Sequence, residues 1–155
     1  MLKIRTANKN EAEYLTQLAM RSKAHWGYTK EFMDACQQEL LITKDMIENH
    51  SSYYALAENQ GGTVGFYSLK GLTDPDIELG LLFIEPEYIG SGFGRILIEH
   101  AMNYAAAKGG KTLQIQGDPN AEGFYKAMGA ILTGKSESSC IPGRYLPNFS
   151  ISLIK

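Results

Sequence analysis

Apolar residues in the first third of the chain recur at helical spacing after one short β-like run. Leu2–Thr6 predicts a strand, and from Asn10 onwards apolar residues follow one another at steps of three and four positions, which predicts a helix. A second helical stretch carries its apolar face on Phe32, Met33, Cys36 and Leu40. The segment "ITKDMIENH" (42–50) predicts one more short helix, with Thr43 as its N-terminal cap.

The pattern changes to β-type in the middle of the chain. The runs "SYYALAEN" (52–59) and "TVGFYSLKG" (63–71) are separated by the turn signal "QGG", and together they predict a β-hairpin. Residues 77–86, "IELGLLFIEP", are almost continuously apolar, as expected for a central strand that is covered on both faces. The middle of the chain therefore predicts three strands.

The strongest helical pattern follows a glycine-rich loop. Its apolar stripe consists of Phe93, Ile96, Leu97, Ala101 and Tyr104. "KGG" (108–110) predicts the end of this helix, and "KTLQIQ" (111–116) predicts a strand. Asp118 and Pro119 predict the cap and first turn of another helix, and "AILTGKSESS" and "NFSISLIK" predict two final strands around a loop. The predicted order is β-α-α-β-β-β-α-β-α-β-β, a mixed α/β sheet in a single domain over residues 1–155.

Composition and charge narrow the range of partners. The formal net charge is −2 and 21% of the residues are charged, so no overall basic field attracts nucleic acid or an anionic membrane. No apolar run is long enough for a signal peptide or a membrane span. We therefore expect a cytoplasmic protein that binds neither nucleic acid nor membranes.

The chain contains two cysteines, Cys36 and Cys140. Their positions do not form a metal-ligand spacing, and a single pair is too few to indicate a disulfide scaffold. We therefore expect two free thiols in a reducing cytoplasm and no bound metal.

The loop "IGSGFGR" (89–95) has a glycine at every second position and leads directly into the long helix. A dinucleotide fingerprint requires G-x-G-x-x-G and a P-loop requires Gly-Lys-Ser/Thr, and neither pattern is present. Two interpretations are left, a tight strand-to-helix turn or a pyrophosphate site. A pyrophosphate site needs no lysine or arginine here, because the first N–H groups of a helix are unpaired and its macrodipole is positive at that end.

Two sequence motifs resemble those of the GNAT superfamily of N-acetyltransferases. The family's acetyl-CoA motif is a buried strand, then (Gln/Arg)-x-x-Gly-x-(Gly/Ala), then a long helix, and Gly92 and Gly94 occupy its two small positions. Downstream, "DPNAEGFYKAMGA" resembles the second motif, an Asn followed by Phe-Tyr and then a glycine. The order of elements also matches over essentially the whole chain. Ile89 departs from the first motif, in which this position is usually Gln or Arg.

The resemblance implies the single-domain GNAT fold, an α/β (α+β) architecture in which helices flank a mixed, mostly antiparallel twisted sheet. It also implies transfer of the acetyl group of acetyl-CoA to a primary amine of a small molecule or peptide, by direct attack in a ternary complex and without a metal. A non-catalytic domain that binds or senses acyl-CoA is the alternative on the same fold. Dimers are frequent in this family, which leaves a homodimer open.

The family motifs assign a set of residues to the cofactor. These are Phe83, Ile84, Ile89, Gly90, Ser91, Gly92, Phe93, Gly94, Arg95, Asn120 and Tyr125. In this family the strand residues bind the pantetheine arm through backbone N–H and C=O groups, much as a sheet binds an added strand. Asn120 has an alternative role as a helix cap beside Asp118.

Two residues are candidates for proton transfer. Tyr125 matches the family tyrosine that protonates the leaving thiolate, and an ordinary pKa of about 10 keeps a tyrosine protonated at neutral pH. Its alternative role is that of a core aromatic. Glu78 matches a glutamate that acts as the base in some family members, either with a pKa raised by burial or through a relaying water. Its alternative is a strand residue that faces solvent or pairs with a lysine or arginine.

The acceptor side is predicted from the segment between the first two helices. In this family the region shapes the acceptor pocket, which makes His25, Trp26 and Tyr28 candidates for lining it, with His25 as an alternative base. Arg144, in the loop between the last two strands, is a candidate for binding an acceptor carboxylate. Ordinary packing or surface exposure is the alternative for each of these residues.

Overall fold

The computed structural model describes residues 2–49 and 52–154. The described strands are β1 (Leu2–Thr6), β2 (Ser52–Asn59), β3 (Gly62–Lys70), β4 (Asp76–Ile84), β5 (Thr112–Gln116), β6 (Ile131–Glu137) and β7 (Tyr145–Ser152). The described helices are α1 (Ala12–Ala24), α2 (Lys30–Ala35), α3 (Gln37–Leu40), α4 (Lys44–Glu48), α5 (Phe93–Ala107) and α6 (Glu122–Ala127). His50 and Lys155, which end two of the predicted segments, lie outside the described residues. None of the described helices combines the length and the apolar character that a membrane crossing needs.

The strands form one seven-stranded sheet in the order β1-β2-β3-β4-β5-β7-β6. Neighbouring strands are antiparallel except β4 and β5, which are parallel. The predicted fold class, a mixed and mostly antiparallel sheet flanked by helices, is confirmed.

The predicted hairpin joins β2 and β3 through a two-residue turn, Gln60 and Gly61. Both residues have positive φ, 54° and 85°, as a tight hairpin turn requires. Glycine adopts this conformation without the steric cost that a Cβ atom would add. The turn therefore fixes the register of two central strands.

Two apolar cores lie on opposite faces of the sheet. Successive strand residues point to opposite faces, and the neighbours Phe66 and Tyr67 belong to different cores. Helix α1 covers the first face with Leu15 and Leu18, and α5 covers the second, where Leu97 is fully buried. Each core removes most of an apolar helix stripe from water, but Ile96, predicted on the stripe of α5, is 44% exposed.

Strands β4 and β5 separate after only four paired positions. They pair from Asp76 with Thr112 to Leu79 with Ile115, whereas β4 continues to Ile84 alongside β3. Among the described strands, none pairs with this last part of β4 on its β5 side. A wedge therefore opens in the middle of the sheet and leaves backbone N–H and C=O groups without a strand partner.

Several element boundaries differ from the prediction. The second helical stretch divides at Cys36, whose backbone is not helical (φ −92°, ψ 0°), into α2 and α3. Strand β7 begins at Tyr145 and includes Pro147, which the prediction placed in the loop. Pro147 stands opposite Lys135 beside an irregularity in the register of β6, and a strand accepts a proline at such a place.

The expectation of two free thiols is wrong. Cys36 and Cys140 form a disulfide across a sequence separation of 104 residues. Cys36 is fully buried where α2 meets α3, and Cys140 lies in the loop between β6 and β7. Only the tertiary fold brings these two segments together, so the spacing of the cysteines carried no signal for the pair.

Reduction of the disulfide is expected to lower the free energy of unfolding by about 2–4 kcal/mol, because the bridge closes a long loop in the unfolded chain. Urea denaturation with and without a thiol reductant measures this difference. The double variant C36S/C140S is the control, since its denaturation midpoint should not respond to the reductant. Identical midpoints for the wild type under both conditions would contradict a stabilising role.

Candidate active site

A cavity of about 440 Å³ lies where β4 and β5 separate. Residues 79–84 of β4 line one wall with consecutive positions, including the predicted Phe83 and Ile84. Other walls are formed by Gln116 at the end of β5 and by Asp118, Asn120 and Tyr125. The unpaired backbone of β4 is therefore available along the cavity for a ligand that contains amide groups.

The predicted glycine loop forms part of the cavity at the start of α5. Gly90 and Gly92 have φ values of +88° and +85°, and Gly92 is the N-cap of α5. A Cβ atom at either position would meet no other atom within 4 Å, so the space beside this backbone is open. No side chain caps the helix, which leaves its first N–H groups for an anionic ligand.

Most of the predicted loop residues reach the cavity. Those that line it are Ile89, Gly90, Gly92, Gly94 and Arg95. Ser91 and Phe93 do not line it, and Phe93 packs instead against Tyr88, with ring centroids 5.6 Å apart. Arg95 is the one cationic side chain of the loop; it is 71% exposed and pairs with Glu99 at 3.0 Å. This end of the cavity therefore offers mainly backbone donors to an anion.

Tyr125 lines the cavity from α6. Its ring packs against Phe124 and Phe149, with ring centroids 5.3 and 5.5 Å away. Burial raises the pKa of its hydroxyl, and the charge of Asp118 adds to the increase. The hydroxyl therefore stays protonated at neutral and moderately alkaline pH, as a proton donor must.

Glu78 is exposed on β4 and does not line the cavity. It lies in register with Lys70 of β3 and Gln114 of β5, one residue before the part of β4 that forms the cavity wall. A proton from the cavity would have to reach this carboxylate through water. Its role as the base stays a prediction.

Asp118 is the centre of a polar cluster beside α6. It accepts hydrogen bonds from the Tyr28 hydroxyl at 2.7 Å and from the Asn120 side-chain amide at 2.9 Å. Arg144 Nη2 donates to the Tyr28 oxygen at 2.8 Å, and Lys23 Nζ lies 3.7 Å from the Asp118 carboxylate. Burial alone would raise the pKa of Asp118, but these hydrogen bonds and cations outweigh it, and the pKa is lowered. The carboxylate is therefore ionised and fully engaged.

Asp118 is also the predicted helix cap. It accepts the backbone N–H of Asn120 at 2.8 Å at the start of a 3-10 turn, Pro119–Ala121, that leads into α6. The capping role proposed as the alternative for Asn120 thus belongs to Asp118. The Asn120 side chain lines the cavity and donates to Tyr28 at 3.0 Å.

The four residues predicted for the acceptor side separate in the structure. Trp26 lines the cavity and is 45% exposed. His25 contacts Trp26 edge-on, at 5.8 Å between ring centroids, and does not line the cavity. Tyr28 and Arg144 do not line it either, but both belong to the cluster around Asp118, which does. Burial and the contact with Asp118 raise the pKa of Tyr28 to about 12.

Some lining residues were not among the predicted site residues. They include Ser22 and Lys23 of α1, Glu39 and Leu40 of α3, Gln116 at the end of β5 and Leu146 of β7. Gln116 stands two positions before Asp118. The others are far from the two motifs along the chain, and only the folded sheet brings them to the cavity. No local signal in the sequence indicates these positions.

Glu85, directly after β4, was also not predicted. It is only 8% exposed and accepts two hydrogen bonds from Arg21, at 3.0 and 2.7 Å, and one from the Tyr14 hydroxyl at 2.7 Å. Burial alone would raise the pKa of Glu85, but these donors outweigh it, and the pKa is lowered. The network holds α1 against the end of β4 and so positions the strand that precedes the glycine loop.

A family model described as the acetyltransferase (GNAT) family matches residues 13–130 of the chain. The match covers most of the sheet, the glycine loop and α6, which form the cavity described above. The protein therefore belongs to the GNAT family of acetyltransferases.

Two relatives and one solved structure resemble the chain over most of its length. It is 33% identical over 140 residues to the peptidyl-lysine N-acetyltransferase YjaB of Salmonella typhimurium, covering 88% of both chains. It is 28% identical over 138 residues to the 5-NmdU N-acetyltransferase of Pseudomonas phage PaMx11, covering 88% of this chain and 91% of that one. The structure of PaiA N-acetyltransferase from Thermoplasma acidophilum in complex with coenzyme A has a TM-score of 0.79, with 18% identity over 98% of this chain and 99% of that one. The last comparison shows a shared fold.

Proposed function

We propose that this protein transfers the acetyl group of acetyl-CoA to a primary amine of a small molecule or peptide, by direct attack in a ternary complex. One observation carries the proposal: a single cavity is lined by the glycine loop, by the free edge of β4 and by Tyr125. The loop suits a pyrophosphate, the strand edge suits an arm with amide groups, and a protonated tyrosine suits a leaving thiolate.

Backbone groups would hold most of the co-substrate. The N–H groups at the start of α5 would bind the pyrophosphate, and the unpaired backbone of Phe83 and Ile84 would bind the pantetheine arm. Ile89 offers no polar group where the family has Gln or Arg, which leaves Arg95 as the cation at this end. We also assign Asn120 to the cofactor, because its side chain lines the cavity.

Acetyl-CoA supplies an activated thioester. The protein has to accept a proton from the amine, donate one to the thiolate and stabilise the negative charge that develops on the carbonyl oxygen. The amine gives up a proton as its nitrogen bonds to the carbonyl carbon, and the departing thiolate takes one from the Tyr125 hydroxyl. Glu78 is proposed to receive the amine proton through water. Backbone N–H groups of β4 beyond Leu79, which lack a partner in β5, are suited to the negative charge on the carbonyl oxygen.

The acceptor is proposed to be a lysine side chain of a peptide or another small primary amine that enters past Trp26. The name of the relative from Salmonella typhimurium refers to peptidyl-lysine, which supports the peptide class. The net charge of −2 speaks against an extended nucleic-acid surface or an anionic membrane surface. The family resemblance leaves a homodimer open. Ile131 and Leu132 of the edge strand β6 are exposed apolar side chains that could form its interface.

We also propose a cytoplasmic location, on the expectation from sequence. In the disulfide form described here, neither the Cys36 sulfur nor the Cys140 sulfur is free to act as a nucleophile. The direct route therefore does not depend on either cysteine.

Acetyl-CoA is expected to bind the protein and raise its melting temperature. A ligand at a free concentration of 100 times its Kd adds about 2.7 kcal/mol to the free energy of unfolding. Titration calorimetry and thermal unfolding measure binding, and release of the CoA thiol across a panel of amines measures turnover. Absence of binding heat together with an unchanged melting temperature would overturn the cofactor assignment. Binding without turnover on any amine would favour the non-catalytic acyl-CoA-binding domain.

A further inference from the structure

The charged side chains that line the cavity differ in whether their charge is neutralised. They are Lys23, Glu39, Arg95 and Asp118. Lys23 and Asp118 pair with each other at 3.7 Å, and Arg95 pairs with Glu99 at 3.0 Å. Glu39 forms no ion pair with any described lysine, arginine or histidine. It therefore leaves one uncompensated negative charge in the lining.

Glu39 is exposed, and the protein contacts it from two sides. Leu40, the next residue on α3, is buried, and the disulfide at Cys36 holds α3 against the loop between β6 and β7. In that loop Ser139 donates a hydrogen bond from its hydroxyl to Glu39 Oε2 at 3.2 Å. The contact engages one carboxylate oxygen, and a carboxylate has acceptor capacity for further donors.

This corner of the cavity does not have the chemistry of a metal site in the disulfide form. Ligand atoms of Cys36, Glu39 and Cys140 lie within 4.8 Å of one another, but the two sulfurs are bonded together and are not thiolates. An organic cation is the better match for Glu39. The exposed indole of Trp26 also lines the cavity, and an aromatic face together with a carboxylate attracts ammonium and guanidinium groups.

We propose that Glu39 is a specificity-determining residue that selects acceptors carrying additional positive charge next to the reacting amine. The inference rests on the proposed function, since it names the class of acceptor for that site. A lysine with basic neighbours would place one cation at Glu39 while the reacting amine lies deeper in the cavity. Acidic neighbours would instead be repelled by the unpaired carboxylate.

Two blocked peptides test this preference. One has a single lysine between two arginines, and the other has the same lysine between two glutamates. For the wild type we expect a higher kcat/KM with the basic peptide. The variant Glu39→Gln should lower kcat/KM for the basic peptide about fivefold, which corresponds to about 1 kcal/mol, and leave the KM for acetyl-CoA unchanged.

Glu31→Gln is the matched control, because it changes the net charge by the same amount. Glu31 is exposed on α2 and does not line the cavity. It should keep the wild-type preference, and all three proteins should share one melting temperature. Equal peptide preferences in the two variants would overturn the role of Glu39.

Calorimetric titration of the basic peptide into the CoA-saturated protein separates this inference from the proposed function, because it does not depend on turnover. If Glu39→Gln raises Kd about fivefold, the binding role of Glu39 stands even for a protein that shows no turnover. If Kd is the same in the wild type and in Glu39→Gln, the inference fails even for an active enzyme.

Discussion

Replacing Tyr125 by phenylalanine is expected to lower kcat about 100-fold while leaving the affinity for acetyl-CoA almost unchanged. The variant removes the hydroxyl that we propose as the proton donor for the thiolate but keeps the ring between Phe124 and Phe149. Because burial raises the pKa of Tyr125, its hydroxyl should stay protonated up to at least about pH 10, and the wild-type kcat should not fall through its deprotonation below that pH. CoA-thiol release at saturating amine measures kcat, and calorimetry measures Kd.

Tyr145→Phe is the control for this experiment. Tyr145 is 54% exposed on β7 and does not line the cavity, so its variant should have the wild-type kcat. Full activity in Tyr125→Phe would show that another group, or water, protonates the thiolate. A parallel loss of acetyl-CoA binding would instead mean that the hydroxyl serves the structure of the cavity.

Replacing Gly92 by alanine is expected to weaken acetyl-CoA binding at least tenfold, about 1.4 kcal/mol, for two reasons. An L-residue is strained at the φ of +85° that Gly92 adopts, which would shift the N-terminus of α5. The new Cβ atom would also enter the open space beside the loop, where the pyrophosphate is proposed to bind. Titration calorimetry with acetyl-CoA measures the change in Kd.

Gly61→Ala separates backbone strain from ligand contact. Gly61 has the same φ of +85° and the same open surroundings, but it lies in the turn between β2 and β3. The melting temperatures of the two variants should fall by similar amounts, whereas only Gly92→Ala should bind acetyl-CoA more weakly. Wild-type affinity in Gly92→Ala would remove the loop from the binding site.

The features predicted correctly from sequence are those with local signals. The almost continuous apolar run of β4, the stripe of α5 and the glycine loop between them are each specified within about one element's length. Tyr125 reaches the cavity because a short motif fixes it on the helix that follows β5. Local hydrogen bonding and periodicity are sufficient to decide such features before the tertiary structure is known.

Features that depend on distant contacts were missed or misplaced. Cys36 and Cys140 were expected as free thiols, but they meet across 104 positions. Tyr28 and Arg144, whose role toward the acceptor stays a prediction, meet in the cluster around Asp118, which is separated from Tyr28 by 90 positions. Such pairings follow from strand order and from the packing of loops over the sheet, and one sequence contains no pattern that specifies them. Glu39 was missed for the same reason.

Direct transfer between two bound substrates is tested most directly by a single-turnover reaction. The protein is loaded with acetyl-CoA and mixed with a lysine peptide, while intact-protein mass spectrometry and CoA-thiol release are followed together. Direct attack predicts that CoA and acetylated peptide form in equal amounts, only after the peptide is added, with no acetylated protein at any time. Acetylated protein before the peptide is added, or no acetylated product from any primary amine, would contradict it.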